Sequence, residues 1–178
     1  GTSALSSVET YDAASQEWTL LQSMWQSRRS PAAVATQRQL YVIGGFDGKI
    51  HLNTAETYNF GDRQWMILPR MPEARSSATA LRFRQELFVC GGTNGKNFLT
   101  CTLNYDVTSG IWHHLTTTEH IRGAAVVGYC GKVYTFGGIS GKRVIDSAQR
   151  LDLQVQMRED LPALHQSLGG ACAAVLGS

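Results

Sequence analysis

Charge is sparse in this sequence. Only 17% of its 178 residues are Asp, Glu, Lys or Arg, and they leave a net charge of +2. That balance is too mild to argue for a nucleic-acid partner. No stretch sustains the 3.6-residue apolar period of an amphipathic helix. Apolar runs are short, each broken by Gly, Ser or a charge, so no transmembrane helix and no membrane partner is expected. No charged-then-apolar leader opens the chain. Cysteine is also scarce, with Cys90, Cys101, Cys130 and Cys172 the four present. They form no C-x-x-C pair, and spacings of 11, 29 and 42 fit no zinc pattern. Free thiols in a reducing compartment are the favoured reading, which makes the expected location cytoplasmic. A disulfide set in a secreted protein is the alternative. The 43% hydrophobic content is that of a globular chain with a core.

What is present is a period. Paired glycines stand at Gly44-Gly45, Gly91-Gly92 and Gly137-Gly138, so the steps are 47 and 46 residues. Glycine at the end of a good strand costs backbone entropy and packs no side chain, so three copies need a structural reason. Tyr58 and Tyr105 follow the second glycine by thirteen residues, and Trp65 and Trp112 come seven later. Tyr11 and Trp18 hold the same slots one unit earlier, whereas the third unit has Leu151 and Arg158 there. Each unit divides into four short strands, a to d, read in the first complete unit as "PAAVAT", "QLYVIGG", "NTAETYNF" and "RQWMIL". Asp47-Gly48, Asn94-Gly95 and Ser140-Gly141 share one tight-turn slot. Four antiparallel strands per unit, repeated, predict an all-β propeller. The Tyr and Trp rings give flat surfaces for contact between blades, and the glycines are expected to let backbone approach those rings. The inner strand a faces a crowded channel and carries small residues such as Ala32, Ala33 and Ala35.

The predicted organisation is one propeller segment over 1–178. Strands c and d fall at 6–21, blades at 28–69, 75–116 and 122–162, and strand a of a further blade at 168–176; the 122–162 blade is divergent. About 3.8 repeats are present, while propellers usually have four to eight blades. The chain is then a segment of a longer propeller or half of a ring built from two chains, and the segment is favoured. An arc with two open apolar faces is expected to self-associate.

The double glycine, the spaced Tyr and Trp, and an Arg at the head of the inner strand together resemble the kelch repeat. The run "GGFDGKIHLNTAETYNFGDRQWMILPRMPEARSSATA" looks like the BTB-BACK-kelch adaptor subgroup in particular. The resemblance covers residues 6–165 and implies a protein-recognition propeller. It further implies a substrate receptor of a cullin-RING ubiquitin ligase, docking acidic peptide segments. Actin or cytoskeletal binding is the alternative that the resemblance allows, and a propeller enzyme is the least favoured. Some kelch propellers are copper-radical oxidases, but their Tyr-Cys and His constellation cannot be assembled here, and no cofactor is expected.

Strands alternate in direction, so the start of a and the end of b share a rim with the d–a connections and the b–c turns. Arg29, Arg75 and Arg122 head the inner strands, 15, 16 and 15 residues before their glycine pairs; a longer a–b turn is taken to absorb the odd one. Three guanidiniums at one mouth would hold a carboxylate or phosphate through paired hydrogen bonds. Phe46, Thr93 and Ile139 follow the glycines, then come Asp47, Asn94 and Ser140, and His51 reaches the same rim. Phe46 and Ile139 are the expected apolar contacts. The competing reading assigns the Arg side chains to backbone carbonyls and the loop residues to solvated turns. Catalytic readings are weaker. His113 and His114 are adjacent and point to opposite faces of a strand. "GGTNGKN" and "GGISGKR" brush against a phosphate loop, yet neither leads into a helix. The expectation is therefore binding without catalysis.

Overall fold

The computed structural model describes residues 3–99, 101–117, 121–155 and 157–176, leaving aside the side chains at 116, 117, 121 and 122. Among the described residues every regular element is a strand. β1 (Glu9–Asp12) and β2 (Glu17–Leu20) form a two-stranded sheet. The first four-stranded blade is β3 (Ala32–Ala35), β4 (Gln39–Ile43), β5 (Ala55–Asn59) and β6 (Gln64–Leu68). The second is β7 (Thr79–Phe83), β8 (Glu86–Cys90), β9 (Cys101–Asp106) and β10 (Ile111–Thr117). A small sheet of β11 (Ile121–Arg122), β14 (Ile139–Ser140) and β15 (Arg143–Val144) caps the third blade at its rim. That blade is β12 (Ala125–Tyr129), β13 (Lys132–Phe136), β16 (Ala148–Asp152) and β17 (Met157–Leu161). In all three blades the strands pair antiparallel in a-b-c-d order. Leu, Val, Ile, Tyr and Phe dominate strand b of the first two blades, as β-branched and aromatic side chains suit a pleated surface, and strands b and c are the most buried.

One device closes every c–d turn. Asp12 Oδ1 accepts the backbone N–H of Ala14 and Ser15, and one period on Asn59 Oδ1 accepts Gly61 and Asp62. Asp106 Oδ1 accepts Thr108, and Asp152 Oδ1 accepts Gln154 and Val155. A short Asp or Asn side chain turned back onto its own backbone supplies the bonds that the ladder no longer provides.

The blades stand side by side in chain order, with β3 next to β7 and β7 next to β12, so the inner strands form an arc. The first and second blades enclose the largest core cluster, which includes Tyr41, Ile43, Ala55, Leu87, Val89, Leu103 and Tyr105. Each fully buried aliphatic of this kind contributes about 1.5–3 kcal/mol. The tryptophans work through the indole N–H as well as through area. Trp65 Nε1 donates to Gln22 O at 2.7 Å and Trp112 Nε1 to Pro69 O at 2.9 Å, each reaching 43 residues back to the connection of the preceding unit. Tyr58–Trp65 and Tyr105–Trp112 ring centroids lie 5.2 and 4.7 Å apart. Tyr11 and Trp18 keep the pairing at 5.1 Å but are 48% and 68% exposed, against the expectation of burial. The reason is geometric: among the described residues no connection covers the Trp18 ring as those at Gln22 and Pro69 cover Trp65 and Trp112.

The paired glycines do a different job from the expected one. They meet backbone, not rings: Gly44 and Gly137 face the head of the next unit, whereas Gly45 and Gly92 face the head of their own. A Cβ on Gly44 would lie 2.2 Å from Arg75 O, and one on Gly137 would lie 2.4 Å from Leu168 O. Gly44 and Gly45 have φ of +65° and +103°, a region closed to most side chains. This close approach lets Gly45 N–H donate to Arg75 O and Arg75 N–H to Leu52 O, at 2.8 and 3.0 Å. Gly138 and Leu168, and Leu168 and Ile145, repeat the same two bonds after the third blade. Ser77 N–H to Ser30 O is likewise repeated by Gly170 N–H to Gly123 O. Residues 164–170 therefore dock on the third blade as the head of a following unit does. The expected strand a at 168–176 has no strand assigned over its described part. A strand needs a hydrogen-bonding neighbour, and no described strand pairs with this segment.

Candidate functional site

The d–a connections and b–c turns meet on one rim. Each b–c turn folds back as a miniature hairpin. Phe46 bridges to His51 in the first, Thr93 to Phe98 in the second, and Ile139 pairs with Val144 in the third. Each hairpin is clamped by the inner-strand head, through Arg29 to Phe46, Ser76 to Thr93 and Arg122 to Ile139.

Those three pairings define the register, and they separate the arginines. Arg29, Ser76 and Arg122 share one slot. Arg75 belongs to the slot before it, where the first blade has Arg28. No longer a–b turn absorbs the difference: Ala32 faces Ile43, Thr79 faces Cys90 and Ala125 faces Phe136, eleven residues apart in every blade. The 16-residue interval to the glycines is instead the mark of this inner slot, since Arg28 also stands 16 before Gly44.

The inner slot is structural. Arg75 is fully buried. Its Nη1 donates to Gly91 O and Cys101 O, both at 3.1 Å, and more weakly to Val89 O at 3.4 Å. Nη2 lies 3.1 Å from Cys101 Sγ and 3.9 Å from Glu73 Oε2. Arg28, 4% exposed, donates from Nη1 to Gly44 O and Thr54 O and meets Glu56 Oε1 through Nε and Nη2 at 3.2 and 2.8 Å. The remaining Glu56 capacity is taken by the N–H groups of Trp25 and Gln26, so this buried ion pair is fully hydrogen-bonded. Each arginine thus ties the head of its blade to the two strands flanking the b–c turn. Arg75 cannot meet a partner from inside the blade, which corrects its expected role as a charge anchor. Sequence reasoning passed over Arg28, although its interval to the glycines was the available signal. The Arg122 side chain lies outside the described residues.

Several other candidates do come together. Arg29, exposed, holds its guanidinium 5.1 Å from the centroid of the Phe46 ring, a cation–π arrangement. Phe46 and His51 ring centroids are 5.0 Å apart. His51 Nδ1 lies 2.9 Å from Ser76 Oγ, and a Cβ on Gly95 would fall 2.6 Å from the imidazole. His51 therefore spans from the first turn to the second, and Gly95 makes room for it. Asp47 and Asn94 are held locally. Asp47 Oδ1 accepts Lys49 and Ile50 N–H, and Asn94 Oδ1 accepts Lys96 and Asn97 N–H. These backbone donors hold the Asp47 carboxyl below the usual carboxylate value. Asn94 Nδ2 also reaches Glu73 Oε1 at 3.0 Å, and Thr93 Oγ1 donates to Asn97 O at 2.9 Å. Ile139 and Phe46 are both half-buried, and Ile139 packs with Val144 over Gly169. Ser140, also half-buried, lines a shallow cleft of ≈ 440 Å³ with Lys96, Asn97, Phe98 and Gly141, between the second and third turns.

The structure also brings forward residues that sequence reasoning did not single out. Lys49, Lys96 and Lys142 follow the turn glycines, one per blade, and all three are exposed at the hairpin tips. None of the three makes an ion pair among the described residues. Across the three turns, 46–51, 93–98 and 139–144, the charged residues are Lys49, Lys96, Lys142 and Arg143 against Asp47. The recurring Gly-Lys dipeptide was the signal for them, and it is visible in the quoted runs that brush against a phosphate loop. Among the described residues no three His, Cys, Asp or Glu side chains cluster in the manner of a metal site. No described helix is long and apolar enough to cross a membrane.

Residues 27–72 and 74–118, just over half of the chain, match the Kelch motif. The chain also superimposes on a solved structure titled "Structure of YjhT" with a TM-score of 0.78, covering 94% of this chain and 68% of that one. Sequence identity there is 17%, so the likeness is one of fold.

Proposed function

The chain belongs to the kelch-motif family, and from that premise we propose that it recognises a protein partner by holding an acidic peptide segment across the rim. The observation that carries this is the lysine at every hairpin tip, with Arg29 stacked on Phe46 on the same rim. Cations spaced along a shallow surface draw in and orient an acidic chain, and the half-buried Phe46–His51 edge gives it an apolar footing. The mechanism is equilibrium binding on a rigid frame, whose buried arginines and paired glycines hold the turns in place.

The test is a titration of a short labelled peptide rich in Asp and Glu. Three exposed ion pairs at about 0.5 kcal/mol each make about 1.5 kcal/mol, so Lys49→Ala, Lys96→Ala and Lys142→Ala combined weaken binding roughly tenfold. Affinity falls steeply with salt in the native chain and less in the triple variant. Equal affinity for the two proteins at low salt removes the reading.

The finer part of the proposal is that the bound segment belongs to a substrate of a cullin-RING ubiquitin ligase, in the cytoplasm. It is supported by the likeness of residues 44–80 to the BTB-BACK-kelch adaptors, and by four cysteines that are all unpaired. The BTB and BACK domains that contact a ligase are not in this sequence. Purification of the tagged gene product from cells tests it: recovery without a cullin removes the ligase part and leaves the peptide-binding part standing.

A further inference from the structure

The two seams between complete blades are built from the same positions; the second keeps an apolar cluster of its own, Leu81, Phe88, Val133 and Leu151, but is polar at four places where the first is apolar. In the first seam Ile43 and Ala55 face each other across β4 and β5; in the second, those places hold Cys90 and Thr102. The far wall of the first seam is Val89 and Leu103; one blade on, it is Thr135 and Gln149. The first seam is a closed apolar core. The second encloses a cavity of ≈ 40 Å³ lined by all four polar replacements, with Ser77, Gly92 and Gly123 on its rim side.

These polar groups are not used up by the fold. Thr102 is fully buried, and its Oγ makes no well-formed hydrogen bond among the described residues. Only the Cys90 thiol, a weak partner, stands beside it. Gln149 is 6% exposed, and its carboxamide bonds to no described residue. Burial pushes the Cys90 thiol up, so it stays neutral. A buried hydroxyl or amide left unpaired is costly, and the twin seam shows that an apolar set closes the same space.

We propose that the seam between the second and third blades is a binding pocket for a neutral carboxamide, the head of an Asn or Gln side chain of the peptide bound on the rim. The size fits, since a water needs roughly 10–15 Å³ of such volume, giving room for about three non-hydrogen atoms. The chemistry fits, since hydroxyls and an amide offer both donors and acceptors. Among the described residues no cation lines the cavity, so a carboxylate would lose its hydration there without compensation. The rim takes the acidic residues and the seam takes the neutral one. This occupant rests on the peptide reading above, but its test does not.

The probe is acetamide, with acetate as the charged control, titrated into the ¹⁵N-labelled 178-residue chain. The expected result is a saturable shift of the Gln149 side-chain NH₂ and of the Thr102 and Thr135 amides, with no such shift from acetate. Gln149→Leu, which restores the apolar residue of the first seam, weakens acetamide binding roughly tenfold while the rest of the spectrum is retained. Thr135→Val weakens it several-fold and decides the matter if Gln149→Leu does not fold. Shifts that do not saturate, equal shifts from acetate, or unchanged affinity in whichever of these variants folds overturn the pocket and leave ordered water as its content. Loss of acetamide binding with peptide binding intact removes the occupant only. Loss of the lysine effect with acetamide binding intact removes the rim reading only.

Discussion

Gly44→Ala against Gly141→Ala separates two costs that usually arrive together. Both glycines are left-handed, with φ of +65° and +61°. Alanine in that region costs about 1–2 kcal/mol at either site. The surroundings differ: a Cβ on Gly141 meets nothing within 4 Å, whereas one on Gly44 falls 2.2 Å from Arg75 O. An ordinary C···O contact is about 3.3 Å, so the next unit must retreat by about 1 Å. That retreat breaks the bonds from Gly45 N–H to Arg75 O and from Arg75 N–H to Leu52 O, worth about 1 kcal/mol each. Opening the seam also loosens the contacts of the core cluster behind it. The expected totals are about 1.5 kcal/mol for Gly141→Ala and about 4 kcal/mol for Gly44→Ala. Urea unfolding followed by both circular dichroism and tryptophan fluorescence reads them. With a slope of about 2 kcal/mol per molar urea, the midpoint falls by roughly 0.7 M in one variant and 2 M in the other. Losses within 1 kcal/mol of each other would mean that backbone conformation alone fixes the glycine, and the close-approach argument would fail.

Arg75→Ala is expected to lose about 3–5 kcal/mol of stability, whereas Arg29→Ala changes stability by less than about 0.5 kcal/mol and weakens acidic-peptide binding; the reverse pattern would restore Arg75 to the rim. Trp65→Phe keeps the ring contact with Tyr58 and removes the bond to Gln22 O, for a loss of about 1 kcal/mol in thermal or urea unfolding. Acid will undo the c–d turns selectively. Backbone N–H donors hold Asp12 and Asp152 below the ordinary 3.8, and Ser109 and Thr108 do the same for Asp106. A lowered folded value means that the stabilisation is complete above 3.8 and drains away as pH falls through the lowered values. Amide exchange at Ala14, Thr108 and Gln154 should therefore quicken in that window, while Gly61, capped by the non-titrating Asn59, does not; uniform quickening would point to global unfolding.

The period made the fold legible, because every position that builds a blade recurs. The glycine pairs, the Tyr–Trp spacing and the turn dipeptides located four-stranded units before any geometry was known. What the spacing did not disclose was which atoms meet. The glycines were assigned to rings and in fact meet the carbonyls of Arg75 and Leu168, because the contact is between segments far apart in sequence and has no side chain to mark it. The arginine slot was misplaced by one residue because Arg28 and Arg29 are neighbours, and the wrong one was aligned with Arg75. A single step along an extended chain turns a side chain from core to solvent, so this small error exchanged a structural residue for a surface one. Tyr11 and Trp18 obey the period and are nevertheless exposed, since burial depends on a neighbour that sequence identity at the slot does not supply.

Three copies in one chain also serve as an internal alignment, and the structure sorts what recurs into two kinds. Gly44, Gly91 and Gly137 recur because backbone must turn through positive φ at each. Asp12, Asn59, Asp106 and Asp152 recur because each caps a turn. Trp65 and Trp112 recur because each indole spans a seam. For all of these, a bond or a contact accounts for the repetition. The side chains of Lys49, Lys96 and Lys142 recur with no ion pair or hydrogen bond among the described residues, at exposed tips. Positions that diverge while keeping the same place, such as Ala55 and Thr102 or Leu103 and Gln149, present the converse: the frame accepts the apolar member, so the polar one is not there for the frame. Recurrence without a side-chain partner and divergence at a structural position both fall on the side of the propeller that carries the b–c turns. Under the proposed reading one bound peptide spans the charged rim and the neutral seam, so the spacing between an acidic residue and an Asn or Gln is the first property to vary in a synthetic ligand.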